Sequence, residues 1–143
     1  MLSNNSHKTA IKRSDISAPA RYLLDNDYID GKILDFGCGH GKDAEVLGAD
    51  KYDPYFYPNW YGSKYDTVLC TYVLNVVEPS AVPYIIKIIG DLLEPDGVAY
   101  IAVRRDLKQE GETSKGTLQY NVELDLPVLY EKPGSFCIYE LSR

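Results

Sequence analysis

The chain has 143 residues, 45% of them hydrophobic and 25% charged, with a net charge of -6. That length supports one compact domain with its own core, and the composition excludes a disordered chain. No apolar run approaches the ~20 residues of a membrane span, and an acidic total argues against a protein that merely coats nucleic acid. The start, Met1-Leu2-Ser3-Asn4-Asn5, lacks the basic and apolar regions of a secretory signal, so a cytoplasmic location is expected. Three cysteines, Cys38, Cys70 and Cys137, show no C-x-x-C spacing and read as buried thiols, not as a disulfide or zinc site. With only two histidines, His7 and His40, neither a metal centre nor a Ser-His-Asp triad is expected.

The polar N-terminus leads into a basic segment, His7-Lys8-Thr9-Ala10-Ile11-Lys12-Arg13. Capping residues around Ser14 to Ser17, Pro19 in a first turn, and Ala20, Leu23 and Leu24 at helical spacing predict a helix over about Ala18 to Asn26. Lys32 to Phe36 is the first strand. It runs into Asp35-Phe36-Gly37-Cys38-Gly39-His40-Gly41, a D-x-G-x-G-x-G turn in which alternate glycines let backbone approach a ligand closely. Lys42 to Leu47 then begins a short helix whose free N–H groups face the same ligand, and Gly48 stops it. The dinucleotide fingerprint G-x-G-x-x-G would need glycine where Lys42 stands, which favours S-adenosylmethionine over NAD.

Ala49 to Asp53 reads as a second strand closed by Pro54. The aromatic stretch Tyr55 to Gly62 has no helical period, and Tyr65 to Tyr72 resumes as a strand. Twelve residues separate Asp53 from Asp66, barely the dozen or so that a parallel crossover needs. The sheet is therefore expected to be shortened in the middle. Pro79 and Ser80 open the longest amphipathic helix, with Val82, Ile85, Ile86, Ile89, Leu92 and Leu93 recurring at three and four. Glu94-Pro95-Asp96-Gly97 is a turn, Val98 to Val103 a buried strand, and Asp106 to Thr117 a polar loop. Pro127 to Glu131 and Ser135 to Leu141 flank Lys132-Pro133-Gly134 as an antiparallel hairpin. The fold class is α/β: a Rossmann-like, mostly parallel sheet with helices on both faces and an antiparallel C-terminal hairpin.

Ligands in such sheets bind beyond the carboxyl ends of the strands. Asp53, ending the second strand, can accept hydrogen bonds from two ribose hydroxyls, with Asp50 the competing carboxylate and a turn-capping Asp the bland alternative. Tyr55, Phe56 and Trp60 can cover an adenine, although thirteen tyrosines equally suit a small core capped by amphipathic rings. Tyr72 and Asn75 are the catalytic candidates, placed to orient a nucleophile, while Asn75 could instead cap the turn into the next helix. No strong general base is evident. Methyl transfer from a sulfonium tolerates that, because it depends chiefly on alignment.

These residues resemble class I S-adenosylmethionine-dependent methyltransferases, through Asp35 to Gly41, Asp53, the Tyr65-to-Asn75 segment and Leu93 to Gly97. More narrowly, the chain is similar to the methyltransferase group associated with DNA phosphorothioation. That likeness rests on His7 to Arg13, Tyr52-Asp53-Pro54-Tyr55, Tyr72-Val73-Leu74-Asn75-Val76 and Thr113 to Gln119. The resemblance implies S-adenosylmethionine as cofactor, with Asp35, Gly37, Gly39 and Gly41 at its methionine half and Asp53 at its ribose. Cys38, Tyr55 and Thr71 complete the expected cofactor contacts. The basic segment and the Lys108-to-Lys115 loop point to a nucleic-acid or nucleotide-like acceptor, against the acidic total. A non-catalytic cofactor-binding module is the rival reading.

Overall fold

The computed structural model describes residues 15–53, 64–107, 111–112 and 118–143. The basic segment 7–13, the aromatic stretch holding Tyr55, and the loop positions Lys108 and Lys115 lie outside them. Helix α1, Ala18–Asp25, starts on Ser17, whose hydroxyl accepts from the Ala20 N–H at 3.3 Å. Strand β1 is Ile33–Phe36, α2 is Lys42–Leu47 and β2 is Asp50–Tyr52. Strand β3, Tyr65–Thr71, is followed by two 3-10 turns, Leu74–Val76 and Pro79–Ala81, and then by α3, Val82–Asp91. The expected long helix is thus tightened in its first turn, where Pro79 and Pro83 lack the N–H donors of a regular α-ladder.

The remaining strands are β4 (Leu93–Arg104), β5 (Gly111–Glu112), β6 (Leu118–Gln119), β7 (Val128–Lys132) and β8 (Phe136–Ser142). The main sheet has six strands in the order β2-β1-β3-β4-β8-β7. Pairings among β2, β1, β3 and β4 are parallel, whereas β4 with β8 and β7 with β8 are antiparallel. This is the expected mostly parallel sheet with a C-terminal hairpin. Among the described residues no strand lies beyond the three-residue β2.

Successive side chains of a strand face opposite ways, and here they sort two cores. Val68, Cys70, Ile101 and Val103 face α3, whose Ile85 and Ile89 are fully buried. Leu69, Tyr100 and Ala102 face the other way, onto Leu23 of α1 together with Phe136 and Ile138. Helices therefore cover both faces. Burying a side chain of this size contributes about 1.5–3 kcal/mol, so the two faces together fix the strand register.

Two expectations need correction. Glu94 to Gly97 is not a turn that precedes the strand but an excursion inside β4: Tyr65 pairs with Leu93 and Thr67 already with Val98. A Cβ on Gly97 would lie 2.8 Å from the Tyr65 carbonyl oxygen, so only glycine lets the two strands meet there. The polar loop from Asp106 to Thr117 contains a short strand, β5, which pairs with β6 just beyond the loop. Among the described residues, no helix is long and apolar enough to cross a membrane, and no group of three His, Cys, Asp or Glu could hold a metal ion.

Candidate functional site

Strands β1, β3 and β4 are parallel and deliver their carboxyl ends to one edge of the sheet. Asp35 reaches that edge on β1 and is only 3% exposed. The glycine turn that follows is tied to β2: the Gly37 and Cys38 N–H groups both donate to the Tyr52 carbonyl, at 2.7 and 3.0 Å. Gly37 has a φ of 77°, and a Cβ there would lie 2.4 Å from Val73 Cγ2. Turn and β3 end are thus in direct contact. Gly41 closes the turn, donating to Cys38 O at 3.0 Å and accepting from Glu45 N at 2.9 Å as α2 begins.

Asp53 is 8% exposed, and its Oδ2 accepts from the Gly39 N–H at 2.9 Å. The carboxylate and the glycine turn therefore form one unit. Asp50, the competing candidate, lies three residues earlier on β2, and its carboxylate accepts from the Tyr65 hydroxyl at 2.8 Å. Tyr65 begins β3, so Asp50 belongs to the amino end of the strands and not to the crevice.

Helix α2 carries a contact that no sequence pattern signals. Asp43 in its first turn accepts from Ser17 N at 2.7 Å and from Ser17 Oγ at 2.6 Å. Asp43 thereby locks the start of α1 to the start of α2, and the glycine turn is braced from the α1 side.

Cys38 is half-buried in the turn. Burial pushes its thiol up, and the charges of Asp35 and Asp53 reinforce the shift. Burial likewise raises Cys70 and Cys137. The thiolate is the reacting form, so these thiols are expected to react only slowly with Ellman's reagent at pH ~8 in the native protein. Full reaction should follow on unfolding in guanidinium, and immediate native labelling would contradict this assignment.

The other wall of the crevice is built from the ends of β3 and β4. Thr71 ends β3, and Tyr72 follows with a φ of 62° while its N–H donates to Ala102 O at 2.9 Å. A bulky residue in the left-handed region costs about 1–3 kcal/mol and persists only where its surroundings hold it. Asn75 is fully buried. Its Nδ2 donates to Tyr120 O at 2.7 Å, its Oδ1 accepts from Arg104 N at 2.8 Å, and its own carbonyl accepts from Tyr120 N at 2.8 Å. The side chain caps no helix; it joins the β4 end to the segment after β6.

Arg104 and Arg105 are structural here. The Arg104 guanidinium grips Asp106 through Nε at 2.7 Å and Nη2 at 2.9 Å, and its Nη1 donates to Gln119 Oε1 at 2.6 Å. The Asp106 hydrogen bond raises Arg104, with Tyr72 close enough to add to the shift, and Arg104 lowers Asp106 in turn. Arg105 donates to Val122 O at 2.7 Å and to the Tyr139 hydroxyl at 2.8 Å. Consecutive arginines thus hold residues 119–122 across the end of β4.

Asp35, Gly37, Cys38, Gly39, Gly41 and Asp53 are therefore gathered on one side of the crevice. Thr71, Tyr72 and Asn75 stand on the other. Tyr55 lies outside the described residues. The parts played by Gln119, Arg104 and Asp43 were missed, because each acts through a partner distant in sequence or in another element.

A family model described as a methyltransferase domain matches residues 10–124. The fold is similar to an S-adenosylmethionine-dependent methyltransferase from Bacteroides fragilis solved with S-adenosyl-L-homocysteine, at a TM-score of 0.64 and 16% identity over 91% of this chain and 78% of that one. It is also similar to the Burkholderia thailandensis 1,6-didemethyltoxoflavin-N1-methyltransferase, solved with 1,6-didemethyltoxoflavin and S-adenosylhomocysteine. There the TM-score is 0.60 and the identity 18%, over 86% of this chain and 76% of that one. No curated protein matches the sequence.

Proposed function

We propose that this chain, which belongs to the methyltransferase domain family, transfers a methyl group from S-adenosylmethionine to a nucleobase-like acceptor, free or within a nucleic acid. The observation that carries the cofactor half is the Asp53 carboxylate bonded to Gly39 N–H at 2.9 Å beside the strand-end Asp35. Two carboxylates almost out of water next to a glycine turn fit a ligand with a cationic amino-acid end and a ribose diol. Asp53 would accept from the ribose hydroxyls, and Asp35 would face the methionine half. The cofactor, when bound, supplies a methyl carbon made electrophilic by a positively charged sulfur.

The chain's own work is positioning. Tyr72 would form the wall against which an acceptor atom is aligned with that carbon, and the fully buried Asn75 would fix that wall from behind by joining the ends of β3 and β4. Effective alignment alone can lower a barrier by about 7–11 kcal/mol, so the reading does not require a strong base. The nucleobase-like acceptor is supported by the heterocyclic substrate of the Burkholderia relative. The narrower resemblance to the group associated with DNA phosphorothioation supports the nucleic-acid form.

Calorimetry is expected to give saturable heat with S-adenosylmethionine and with S-adenosylhomocysteine. No heat with either would remove the cofactor reading. Tritiated methyl transfer is then expected onto DNA, RNA or nucleotide pools. A second reading, a cofactor-binding module without turnover, is favoured by Asn75, whose amide is engaged at both ends with backbone groups. Binding without transfer would select it.

A further inference from the structure

Gln119 is the one side-chain amide at the crevice edge whose donor half is left over among the described residues. It is 8% exposed, and its Oε1 accepts from Arg104 Nη1 at 2.6 Å. A guanidinium can only donate, so the orientation of this amide is dictated: oxygen toward Arg104, NH2 on the opposite branch. That Nε2 carries two N–H donors with no acceptor among the described residues. A buried donor left unmade costs about 1–3 kcal/mol, and such groups are rare in folded proteins.

The amide is also held from several sides. Arg104 is clamped by Asp106 through two bonds. The next residue, Tyr120, is pinned by Asn75 through both its N–H and its C=O. Arg104 ends β4, and Asn75 lies in the turn after β3, so this donor stands at the same edge of the sheet as the glycine turn. The adjacent charge is matched within the protein, since Asp106 already occupies the Arg104 guanidinium. What remains on offer is a neutral pair of donors, which needs a lone-pair acceptor on a ligand and no counter-charge.

We propose that Gln119 Nε2 is the hydrogen-bond donor that reads a ring carbonyl of the methyl acceptor, a lactam-type heterocycle such as uracil or guanine. The inference rests on the methyl-transfer reading of the crevice. Tyr72 follows the end of β3 at the same edge of the sheet. A pair of N–H groups donates to a carbonyl oxygen and opposes the N–H donors of an exocyclic amine in the same place.

The test uses the full chain, labelled with heavy nitrogen and first saturated with S-adenosylhomocysteine, then titrated with uridine or guanosine. The side-chain NH2 pair of Gln119, identified by its absence from the spectrum of Gln119→Glu, is expected to shift with at least one nucleoside. Gln119→Glu keeps an oxygen for Arg104 while removing both donors. It is expected to bind that nucleoside at least tenfold more weakly and to hold S-adenosylhomocysteine within twofold of the parent. Equal nucleoside affinity in Gln119→Glu overturns the proposal, as does an unperturbed NH2 pair with both nucleosides. Failure of S-adenosylhomocysteine to bind, seen before any nucleoside is added, would overturn the methyl-transfer reading itself and this proposal with it.

Discussion

Gly37→Ala is expected to destabilise the protein by about 2–5 kcal/mol, from two penalties that act together. At a φ of 77° an L side chain meets its own carbonyl, which costs about 1–2 kcal/mol. The new Cβ would also stand 2.4 Å from Val73 Cγ2. Val73 is only 6% exposed and cannot swing into water, and relieving an overpacked contact costs about 1–3 kcal/mol. Urea unfolding measures the sum. The double variant Gly37→Ala with Val73→Ala separates the parts, because only the steric share can be relieved by trimming valine. A coupling of about 1 kcal/mol is expected between the two sites. An alanine that is tolerated with no loss of stability would mean that the turn does not sit against β3 as described.

Asp53→Ala is expected to weaken S-adenosylhomocysteine binding about 10- to 100-fold, with the far-UV spectrum retained. Hydrogen bonds to a charged group contribute about 1.5–3 kcal/mol, and each ~1.4 kcal/mol is a factor of about ten in affinity. Two losses combine here: the ribose acceptor and the anchor of the Gly39 N–H at 2.9 Å. Asp53→Asn retains one acceptor oxygen and should fall between. Asp50→Ala is the control. Its carboxylate serves Tyr65 at the far end of β2, so that variant should lose stability and keep affinity. Unchanged affinity in Asp53→Ala, measured by calorimetry, would sink the ribose assignment.

What was legible in the sequence was local. Val98 to Val103 announced a buried strand by being apolar throughout. Lys132-Pro133-Gly134 announced a hairpin because Gly134 takes the left-handed turn, with a φ of 73°. Asp35 ahead of alternate glycines marked the turn from β1 into α2 for the same reason, since Gly37, Gly39 and Gly41 all take positive φ. The ends of β3 and β4 were less readable. Asn75 meets a residue 45 positions away, and no spacing rule encodes such a contact. Tyr72 adopts a left-handed φ that sequence reasoning reserves for Gly or Asn, since only tertiary bonds hold it there. The strands β5 and β6 have two residues each, too few to show a period. The excursion at Glu94 to Gly97 carries ordinary turn residues, yet Leu93 pairs with Tyr65 and draws the turn inside the strand.

The place of β8 in the sheet has a consequence for biosynthesis. Phe136–Ser142 is the last of the described strands to leave the ribosome, but it lies between β4 and β7 in the interior of the sheet. Until it emerges, β4 presents its outer ladder of N–H and C=O groups unpaired, with Ile101 and Val103 beside it. An open apolar edge of this kind is a template for pairing with another chain. Closure of the nascent sheet therefore waits on a segment of seven residues, and the interval before its arrival is when the chain is most exposed to aggregation.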